Sequence, residues 1–284
     1  MVSISIYDLY NNIKAALMLA EIENYRMEAA LIIEKLTGYK KHELSLIGER
    51  KASIEQLKMA DELVKRRKSG EPLQYILGEW EFYGLNFKVG QGVLIPRQDT
   101  ETIIDLIIEV LKDIKSPSII DLCSGSGCIA ITLDKTIQDA AVFAVEFSSE
   151  ANSYLSKNIK ENDSDVKLIV GNVLKEETLE NFLEVDCIVS NPPYLSKSDM
   201  NMLQKEVTFE PEMALFGGDD GLKFYREITK LWSKKLKPQG VLVFEIGINQ
   251  HDEVKGILES NGYKNICFKE DLCGIIRVVY GYKV

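Results

Sequence analysis

The sequence predicts an α/β protein in which a small helical bundle precedes a mostly parallel β-sheet. Three observations predict this fold class. Helical periodicity covers roughly the first 70 residues, and short apolar runs alternate with helical stretches from Thr100 onward. The last two apolar runs lie too close together for a crossover helix, so they must form a hairpin. A chain of 284 residues has room for one large domain and one small one.

The amino-terminal segment carries apolar residues at helical spacing. Leu9, Ile13 and Leu17 share one helix face, and Thr37 with Gly38 forms a stop signal after a second periodic stretch. Ser53 followed by Gln56 resembles a capping box that opens a further helix. We therefore expect four or five helical elements and assign residues 1–72 to a helical domain.

The segment that follows is rich in aromatic and branched residues and is interrupted by glycines. QYILGEWEFYGLNFKVGQGVLI contains Gly78, Gly84, Gly90 and Gly92. Such a composition is typical of a β-hairpin. We expect residues 73–95 to be a hairpin linker between two domains.

The remaining residues, 96–284, are predicted to form the sheet domain. Fully apolar strands that alternate with helices indicate a parallel sheet covered on both faces. One strand near an edge is expected to be reversed, because the final hairpin requires it. The predicted strands are 118–122, 141–145, 166–170, 185–190, 240–246, 262–268 and 274–280.

The charge balance argues against attraction of the whole surface to nucleic acid. The chain has 34 basic and 44 acidic side chains, which gives a net charge of -10. We expect no direct nucleic acid binding, although the net charge does not exclude a local basic patch. Lys65–Lys68 is such a candidate, but cations at the end of a helix also complement the helix dipole.

Cysteine usage and the amino terminus predict a cytoplasmic location. The five cysteines include no CxxC pair and most lie in apolar runs, so we expect reduced, buried thiols. The first residues lack the basic start of a signal peptide, and no run reaches the roughly 18 apolar residues of a membrane span. We expect no membrane association.

A glycine turn follows the first predicted strand. Asp121–Gly127 ends that strand and opens a helix, an arrangement that lets a ligand approach the backbone and the free N–H groups. The second strand ends at Glu146, whose carboxylate could hold the two hydroxyls of a ribose. Asn172, at the end of the third strand, could recognise an adenine edge. The spacing is not that of a dinucleotide site, and a glycine turn alone is often only a turn.

The fourth predicted strand ends in SNPPY, at residues 190–194. Asn191 offers a carbonyl oxygen, and the prolines stiffen the turn so that the Pro192 carbonyl points outward. Two fixed acceptors match the two N–H bonds of a planar NH2 group, and the Tyr194 ring offers a face for stacking. The stretch predicts a clamp for a primary amide or amine, although Asn-Pro-Pro also occurs as a plain strand end.

Two other features have simple structural interpretations. Gly217–Gly221 resembles a metal loop in composition, but it lacks the ligand alternation of an EF-hand, so we interpret it as a turn before a helix at Leu222–Leu236. His42 and His251 stand in no metal or triad pattern. We expect no metal site.

Several motifs together resemble the HemK/PrmC family of S-adenosylmethionine-dependent methyltransferases, which methylate the glutamine N5 of peptide-chain release factors. The motifs are QYILGEWEFYGLNFKV, VLIPRQDTE, DLCSGSGCIAI, IVSNPPYL, FEPEMALFGGDDGLKFYREI and DLCGIIRVVYG, and they cover residues 73–284. The resemblance implies a Rossmann-like domain with a seven-stranded sheet at 96–284. It also implies that residues 1–72 recognise the protein substrate.

The resemblance also implies roles for individual residues. Cys123, Ser124, Gly125, Ser126 and Gly127 would line the methionine part of the cofactor, Glu146 would hold its ribose, and Asn172 and Val173 would border its adenine. Asn191, Pro192, Pro193 and Tyr194 would grip the substrate glutamine. Asn191, Pro192 and Tyr194 would be catalytic, with Asn191 also touching the cofactor.

This chain departs from the family pattern at three places. Glu146 stands where Asp is usual, PRQDTE replaces PRPETE, and Asn172 replaces a frequent Asp. These changes keep the chemistry but leave the adenine contacts open.

Three alternatives remain open at the level of sequence. The clamp could serve a ribosomal-protein glutamine, or an exocyclic amine of a base in RNA or DNA that is flipped out of its stack. A cofactor-binding scaffold without activity is the third alternative, and the intact Asn191 and Tyr194 argue against it. We expect a monomer that acts on the GGQ glutamine of release factors.

Overall fold

A computed structural model describes residues 4–284 of the chain. These residues divide into two compact units. The first comprises the chain up to Glu79 together with Lys205–Phe209, and the second comprises Trp80–Gln204 and Glu210–Val284. A stretch distant in sequence from the amino terminus therefore belongs to the helical unit.

The helical unit begins with five α-helices. They are α1 (Ile6–Leu19), α2 (Tyr25–Thr37), α3 (Leu44–Ile47), α4 (Ile54–Lys68) and α5 (Leu73–Leu77). The capping box at the start of α4 is confirmed, since the Ser53 side chain accepts from the Gln56 N–H at 3.1 Å. Gly38 ends α2 in the left-handed conformation, as its position after the periodic stretch predicts.

The hairpin is shorter than the predicted segment 73–95. Strands β1 (Glu79–Phe82) and β2 (Leu85–Lys88) form a two-stranded sheet. Tyr83 and Gly84 both have positive φ values, of 50° and 75°, which suits the two-residue turn of a twisted hairpin. Residues before β1 are helical instead, because α5 buries Leu73 and Ile76.

The rest of the chain alternates helices and strands. The elements are α6 (Glu101–Leu111), β3 (Ser118–Leu122), α7 (Cys128–Thr136), β4 (Ala141–Glu146), α8 (Ser149–Glu161), β5 (Lys167–Val170), α9 (Glu176–Leu179), β6 (Val185–Ser190), α10 (Lys197–Met200), α11 (Glu212–Leu215), α12 (Lys223–Trp232), β7 (Leu236–Glu245), α13 (His251–Ser260), β8 (Lys264–Glu270) and β9 (Ile276–Tyr282).

The seven strands from β3 onward form one sheet in the order β5-β4-β3-β6-β7-β9-β8. Strands β3 to β7 pair in parallel, and β9 runs antiparallel to both β7 and β8. The predicted fold class, with one reversed strand near an edge, is confirmed. Apolar clusters cover both faces, which explains why β3 and β6 are mostly apolar.

Two predicted boundaries in this unit were wrong by four residues, and the other predicted strand ends differ from the observed ones by at most two. The helix predicted at Leu222–Leu236 ends at Trp232, because Ser233–Lys235 tightens into a 3₁₀ turn. Its last predicted residue, Leu236, instead opens β7, which begins four residues before the apolar run at 240. Tyr225, Ile228, Leu231 and Trp232 are buried, as the helical pattern predicts.

The prediction that the cysteines are buried is confirmed in full only for Cys187, since Cys123 and Cys128 are half-buried. Cys267 and Cys273 are exposed. Cys267 lies on β8, which is the edge strand, and Cys273 lies in the turn between β8 and β9. All five thiols are free. Within residues 4–284, no helix is long and apolar enough to cross a membrane.

An ion-paired arginine is buried inside the helical unit. The Arg67 guanidinium donates to Glu28 at 2.6 Å and to Glu206 at 2.6 Å, and its side chain is 4% exposed. Its neighbour Arg66 pairs with Glu71 at 2.5 Å on a more exposed side chain. Two of the four cations in Lys65–Lys68 are thus occupied by ion pairs within the unit.

This arrangement predicts unequal effects of two neighbouring substitutions. Arg67→Ala is expected to lower the free energy of unfolding by about 3 kcal/mol or more, because it leaves the Glu28 carboxylate buried without a partner. Arg66→Ala is the matched control, with an expected loss below about 1 kcal/mol. Urea denaturation followed by circular dichroism measures both, and equal losses would contradict the assignment.

Candidate active site

The glycine turn and the SNPPY stretch leave the sheet side by side. Strands β3 and β6 are parallel neighbours, with Leu122 opposite Ser190 in the register. The Ser190 hydroxyl donates to the Leu122 carbonyl at 2.7 Å, which links the two strand ends. The two halves of the predicted site therefore meet at the carboxyl edge of the sheet, where open α/β sheets bind ligands.

The backbone of the glycine turn depends on Gly127 and leaves Gly125 open. Gly127 has φ +83°, and a Cβ there would stand 2.2 Å from Leu155 Cδ1 in the core. At Gly125, φ is +55° and a Cβ would meet nothing within 4 Å. Gly127 is thus required by packing, whereas Gly125 presents open backbone on which a ligand can lie.

Cys123 and Ser124 occupy the start of this turn. Cys123 has φ +61°, a conformation that glycine adopts with less strain, and burial raises the pKa of its thiol. The Ser124 hydroxyl donates to the Asp121 carbonyl at 2.9 Å, and the Ser126 carbonyl accepts from Asn158 Nδ2 at 2.8 Å. These two hydrogen bonds stabilise the conformation of the turn.

Asp121 carries a buried carboxyl group directly under the turn. It is fully buried, and both carboxyl oxygens lack a hydrogen-bond partner among residues 4–284. Burial raises the pKa of this carboxyl to about 7. The sequence indicated Asp121 at the end of the strand but no role for it.

Glu146 joins the glycine turn to the turn after β4. One carboxyl oxygen accepts from the Gly125 N–H at 2.8 Å, and the other accepts from the N–H groups of Phe147 at 2.8 Å and Ser148 at 2.7 Å. A carboxylate can accept about four hydrogen bonds, so some capacity remains for a hydroxyl ligand. The side chain is 9% exposed, at the crevice.

Asn172 and Val173 follow β5, the edge strand next to β4. The Asn172 side-chain oxygen accepts from the Leu174 N–H at 2.9 Å, which closes a local turn. Val173 is buried, and its carbonyl accepts from Trp232 Nε1 at 2.9 Å. Both residues are therefore held rigidly by the fold at this strand end.

Asn191 and Pro192 present two acceptors at the end of β6. Asn191 Nδ2 points towards Thr100 Oγ1 at 3.4 Å, which leaves Oδ1 on the opposite side of the amide. Among the described residues, neither Asn191 Oδ1 nor the Pro192 carbonyl oxygen accepts a hydrogen bond. Pro192 and Pro193 are themselves buried, so these oxygens are rigidly mounted.

Three glycines let the surrounding backbone close around Tyr194. A Cβ on Gly217 would stand 2.6 Å from the Pro193 carbonyl oxygen, and one on Gly221 would stand 2.4 Å from that of Tyr194. A Cβ on Gly247 would stand 3.1 Å from the Tyr194 ring. Burial raises the pKa of the Tyr194 hydroxyl. The sequence predicted only a turn at Gly217–Gly221. The high density of glycines there was the available signal of this close approach of backbone.

Polar side chains distant in sequence complete the surroundings. Gln250 Nε2 donates to the Tyr194 carbonyl at 3.0 Å. Glu210 is buried, accepts from the Ile95 N–H at 3.0 Å and pairs with Arg97. Glu245 is 3% exposed and lies beside Thr100 and Asn191. The sequence did not indicate that these residues belong to the surroundings of the site, because they come together only in the folded chain.

Two parts of the chain match the models of known protein domains. Residues 8–78 match the model of the PrmC N-terminal domain, and residues 97–212 match that of the methyltransferase small domain. Among solved structures, the hMettl16 catalytic domain in complex with MAT2A 3'UTR hairpin 6 superposes with a TM-score of 0.57 at 16% identity. That superposition covers 82% of this chain and 84% of the other, and it shows the fold alone.

The matched domain, the sheet order and the edge geometry define an α/β methyltransferase. Two curated relatives are both named release factor glutamine methyltransferase. The protein of Fusobacterium nucleatum is 37% identical and aligns over 97% of this chain and 78% of its own length. That of Geobacter sulfurreducens is 39% identical, over 92% and 90%. The chain therefore belongs to the release factor glutamine methyltransferase family.

The glycine turn yields a direct test of its packing. Gly127→Ala is expected to lower the free energy of unfolding by roughly 3 kcal/mol, because the left-handed backbone and the contact with Leu155 both oppose a Cβ. Gly125→Ala shares only the backbone strain, so its expected cost is about 1 kcal/mol. Thermal and urea unfolding of the two variants measures the difference. A larger loss for Gly125→Ala would contradict this assignment.

Proposed function

We propose that this chain is a cytoplasmic enzyme that transfers a methyl group from S-adenosylmethionine to N5 of the glutamine in the GGQ motif of peptide-chain release factors. The observation that carries the proposal is the pair of rigid acceptors, Asn191 Oδ1 and the Pro192 carbonyl, with no partners in the rest of the described chain. Membership in the family supports the choice of substrate.

The acceptor pair meets the chemical difficulty of the reaction. An amide nitrogen is a poor nucleophile because its lone pair is delocalised into the carbonyl group. Acceptors that bind both N–H groups favour a pyramidal, electron-rich nitrogen. They also direct its lone pair away from the two acceptor oxygens. Each such preorganised contact can contribute about 3 kcal/mol to the transition state. The Tyr194 ring then gives the flat amide a surface to pack on.

The residues of the glycine turn fit the cofactor. Open space over Gly125 and the remaining acceptor capacity of Glu146 suit a backbone-bound nucleoside with ribose hydroxyls. Cys123 to Gly127 would hold the methionine part, and Asn172 with Val173 would border the adenine. When bound, S-adenosylmethionine supplies the methyl group: the S–CH3 bond breaks, an N–CH3 bond forms, and the amide releases one proton to water. No metal takes part in this scheme.

Asn191→Ala tests the clamp. The substitution removes one acceptor, so we expect turnover on an intact release factor to fall by about 100-fold or more. The dissociation constant of S-adenosylmethionine, measured by calorimetry, should change little. Turnover near that of the unmodified enzyme would refute the role of Asn191.

The same assay separates the alternative substrates. Radiolabelled methyl transfer is compared among a release factor, ribosomal proteins, ribosomal RNA and DNA. Labelling of the GGQ glutamine, located by mass spectrometry, is the expected result. Labelling of RNA, DNA or a ribosomal protein in its place would reject the proposed substrate.

We further propose that the helical unit recognises the protein substrate. Its match to the PrmC N-terminal domain covers residues 8–78. Large apolar side chains stand exposed on this unit, among them Leu19 at 81% and Leu46 at 74%. Exposed apolar side chains of this kind are common contacts at protein interfaces.

Substituting these side chains should affect binding of the whole protein and not the chemistry. The double variant Leu19→Ser, Leu46→Ser is expected to raise KM for an intact release factor several-fold with kcat unchanged. For a short peptide that carries the GGQ motif, KM should stay the same. Identical KM values for the intact factor in variant and parent would contradict this role.

A further inference from the structure

A buried acidic side chain behind the clamp has no function assigned so far. Glu245 is the last residue of β7 and is only 3% exposed. Within residues 4–284, its Oε2 has no hydrogen-bond partner. A buried carboxylate with an unsatisfied oxygen destabilises a fold, so an apolar residue or a glutamine would serve packing better.

The nearby Arg277 lowers the pKa of Glu245 by its charge but directs its ion pairs elsewhere. Arg277 forms its ion pairs with Asp99 and Asp271, each at 2.9 Å. No salt bridge joins Arg277 to Glu245 in the described part of the chain. Packing and ion pairing therefore leave the identity of this side chain unexplained.

The neighbours of Glu245 indicate what it does. Strands β6 and β7 are parallel and pair Ser190 with Phe244, so the next residues, Asn191 and Glu245, are also neighbours. Burial raises the pKa of this carboxyl group, and the side chains of Thr100 and, less strongly, Asn191 are among the groups that lower it. Asn191 Nδ2 is the end of the amide that points to Thr100.

The two ends of an asparagine amide have nearly the same shape, so packing alone cannot choose between them. The Thr100 hydroxyl cannot choose either, because a hydroxyl both donates and accepts. An ionised carboxylate only accepts. It therefore attracts the NH2 end of Asn191 and repels the oxygen end.

We propose that Glu245 is a positioning residue that fixes the amide of Asn191 with Nδ2 inward and Oδ1 towards the crevice. Without it, the amide could turn over and present a donor to the substrate NH2 group, which has no complementary acceptor there. This inference rests on the proposed role of Asn191 as a clamp residue.

Glu245→Gln tests the proposal with an isosteric change. The variant can donate an NH2 to Asn191 Oδ1, so the amide is expected to turn over and kcat to fall by roughly 100-fold. The dissociation constant of S-adenosylmethionine should stay close to that of the parent, and the melting temperature should not fall. A kcat equal to that of the parent would overturn the proposal.

A double variant separates positioning from general damage. Aspartate at 191 has two acceptor oxygens, so it needs no orientation. Asn191→Asp alone would place two carboxyl groups together, whereas with Glu245→Gln the new amide can donate to the aspartate. The double variant should be at least about tenfold more active than each single variant. If the losses of activity of the two single variants instead multiply in the double variant, the positioning role is contradicted.

The pH profile provides a second readout. Burial raises the pKa of Glu245 to about 7. Below that pH the protonated carboxyl can donate to Asn191 Oδ1, so kcat of the parent should fall as pH decreases through about 7. Charged and titratable groups that face Glu245 are Asp99 before α6, Cys128 on α7, Tyr194 after β6, Tyr225 on α12 and Arg277 on β9.

These neighbours do not account for a midpoint near 7. Burial raises the pKa of Cys128, Tyr194 and Tyr225, and Arg277 stays charged in its ion pairs with acidic side chains. Asp121 shares a pKa of about 7, so the informative quantity is the difference between the parent and Glu245→Gln. The variant should show a low kcat that does not fall further as the pH decreases through about 7.

An activity-independent measurement distinguishes this proposal from the proposed function. The Asn191 side-chain NH2 signals in a ¹⁵N NMR spectrum should move with pH near 7 in the parent and stay fixed in Glu245→Gln. If they do so while the parent fails to methylate any release factor, the proposed function is wrong and the positioning role stands. If the parent methylates the factor but these signals do not titrate, the positioning role is wrong.

Discussion

The pairing of β3 with β6 is the constraint on which the site depends. Leu122 lies opposite Ser190, and a hydrogen bond of 2.7 Å from the Ser190 hydroxyl joins the two strand ends. A slip of one residue would turn every side chain of β6 to the other face of the sheet. The glycine turn and the Asn191 clamp would then no longer open into the same crevice. The apolar clusters on both faces of the sheet fix this register.

The same edge carries features that cost stability. Asp121 and Glu245 are buried carboxyl groups with oxygens that have no hydrogen-bond partner within residues 4–284, and burial raises their pKa values to about 7. Cys123 holds a left-handed backbone at φ +61°. Groups of this kind tend to be retained where they act on a ligand or on a residue that touches it. Their concentration at one edge agrees with the methyltransferase site assigned here.

Local patterns in the sequence predicted much of the fold and indicated the two strand ends that meet at the candidate site. The strands 118–122 and 185–190 were predicted to the residue, because parallel buried strands are continuous apolar runs with sharp ends. The start of β7 was not, since its first residues are partly exposed. The places of Thr100 and Glu245 beside the clamp could not be found from the sequence, and Gly217 gave only the signal of glycine density. Their relation to Asn191 and Tyr194 exists only through strand register and loop closure.

The central claim is that two rigid oxygens hold the amide of the substrate while it is methylated. A crystal structure of the chain with S-adenosylhomocysteine and a peptide bearing the GGQ motif tests it most directly. We expect the glutamine nitrogen to lie within about 3.2 Å of both Asn191 Oδ1 and the Pro192 carbonyl oxygen. A glutamine nitrogen in the crevice but out of hydrogen-bonding range of both oxygens would contradict the account.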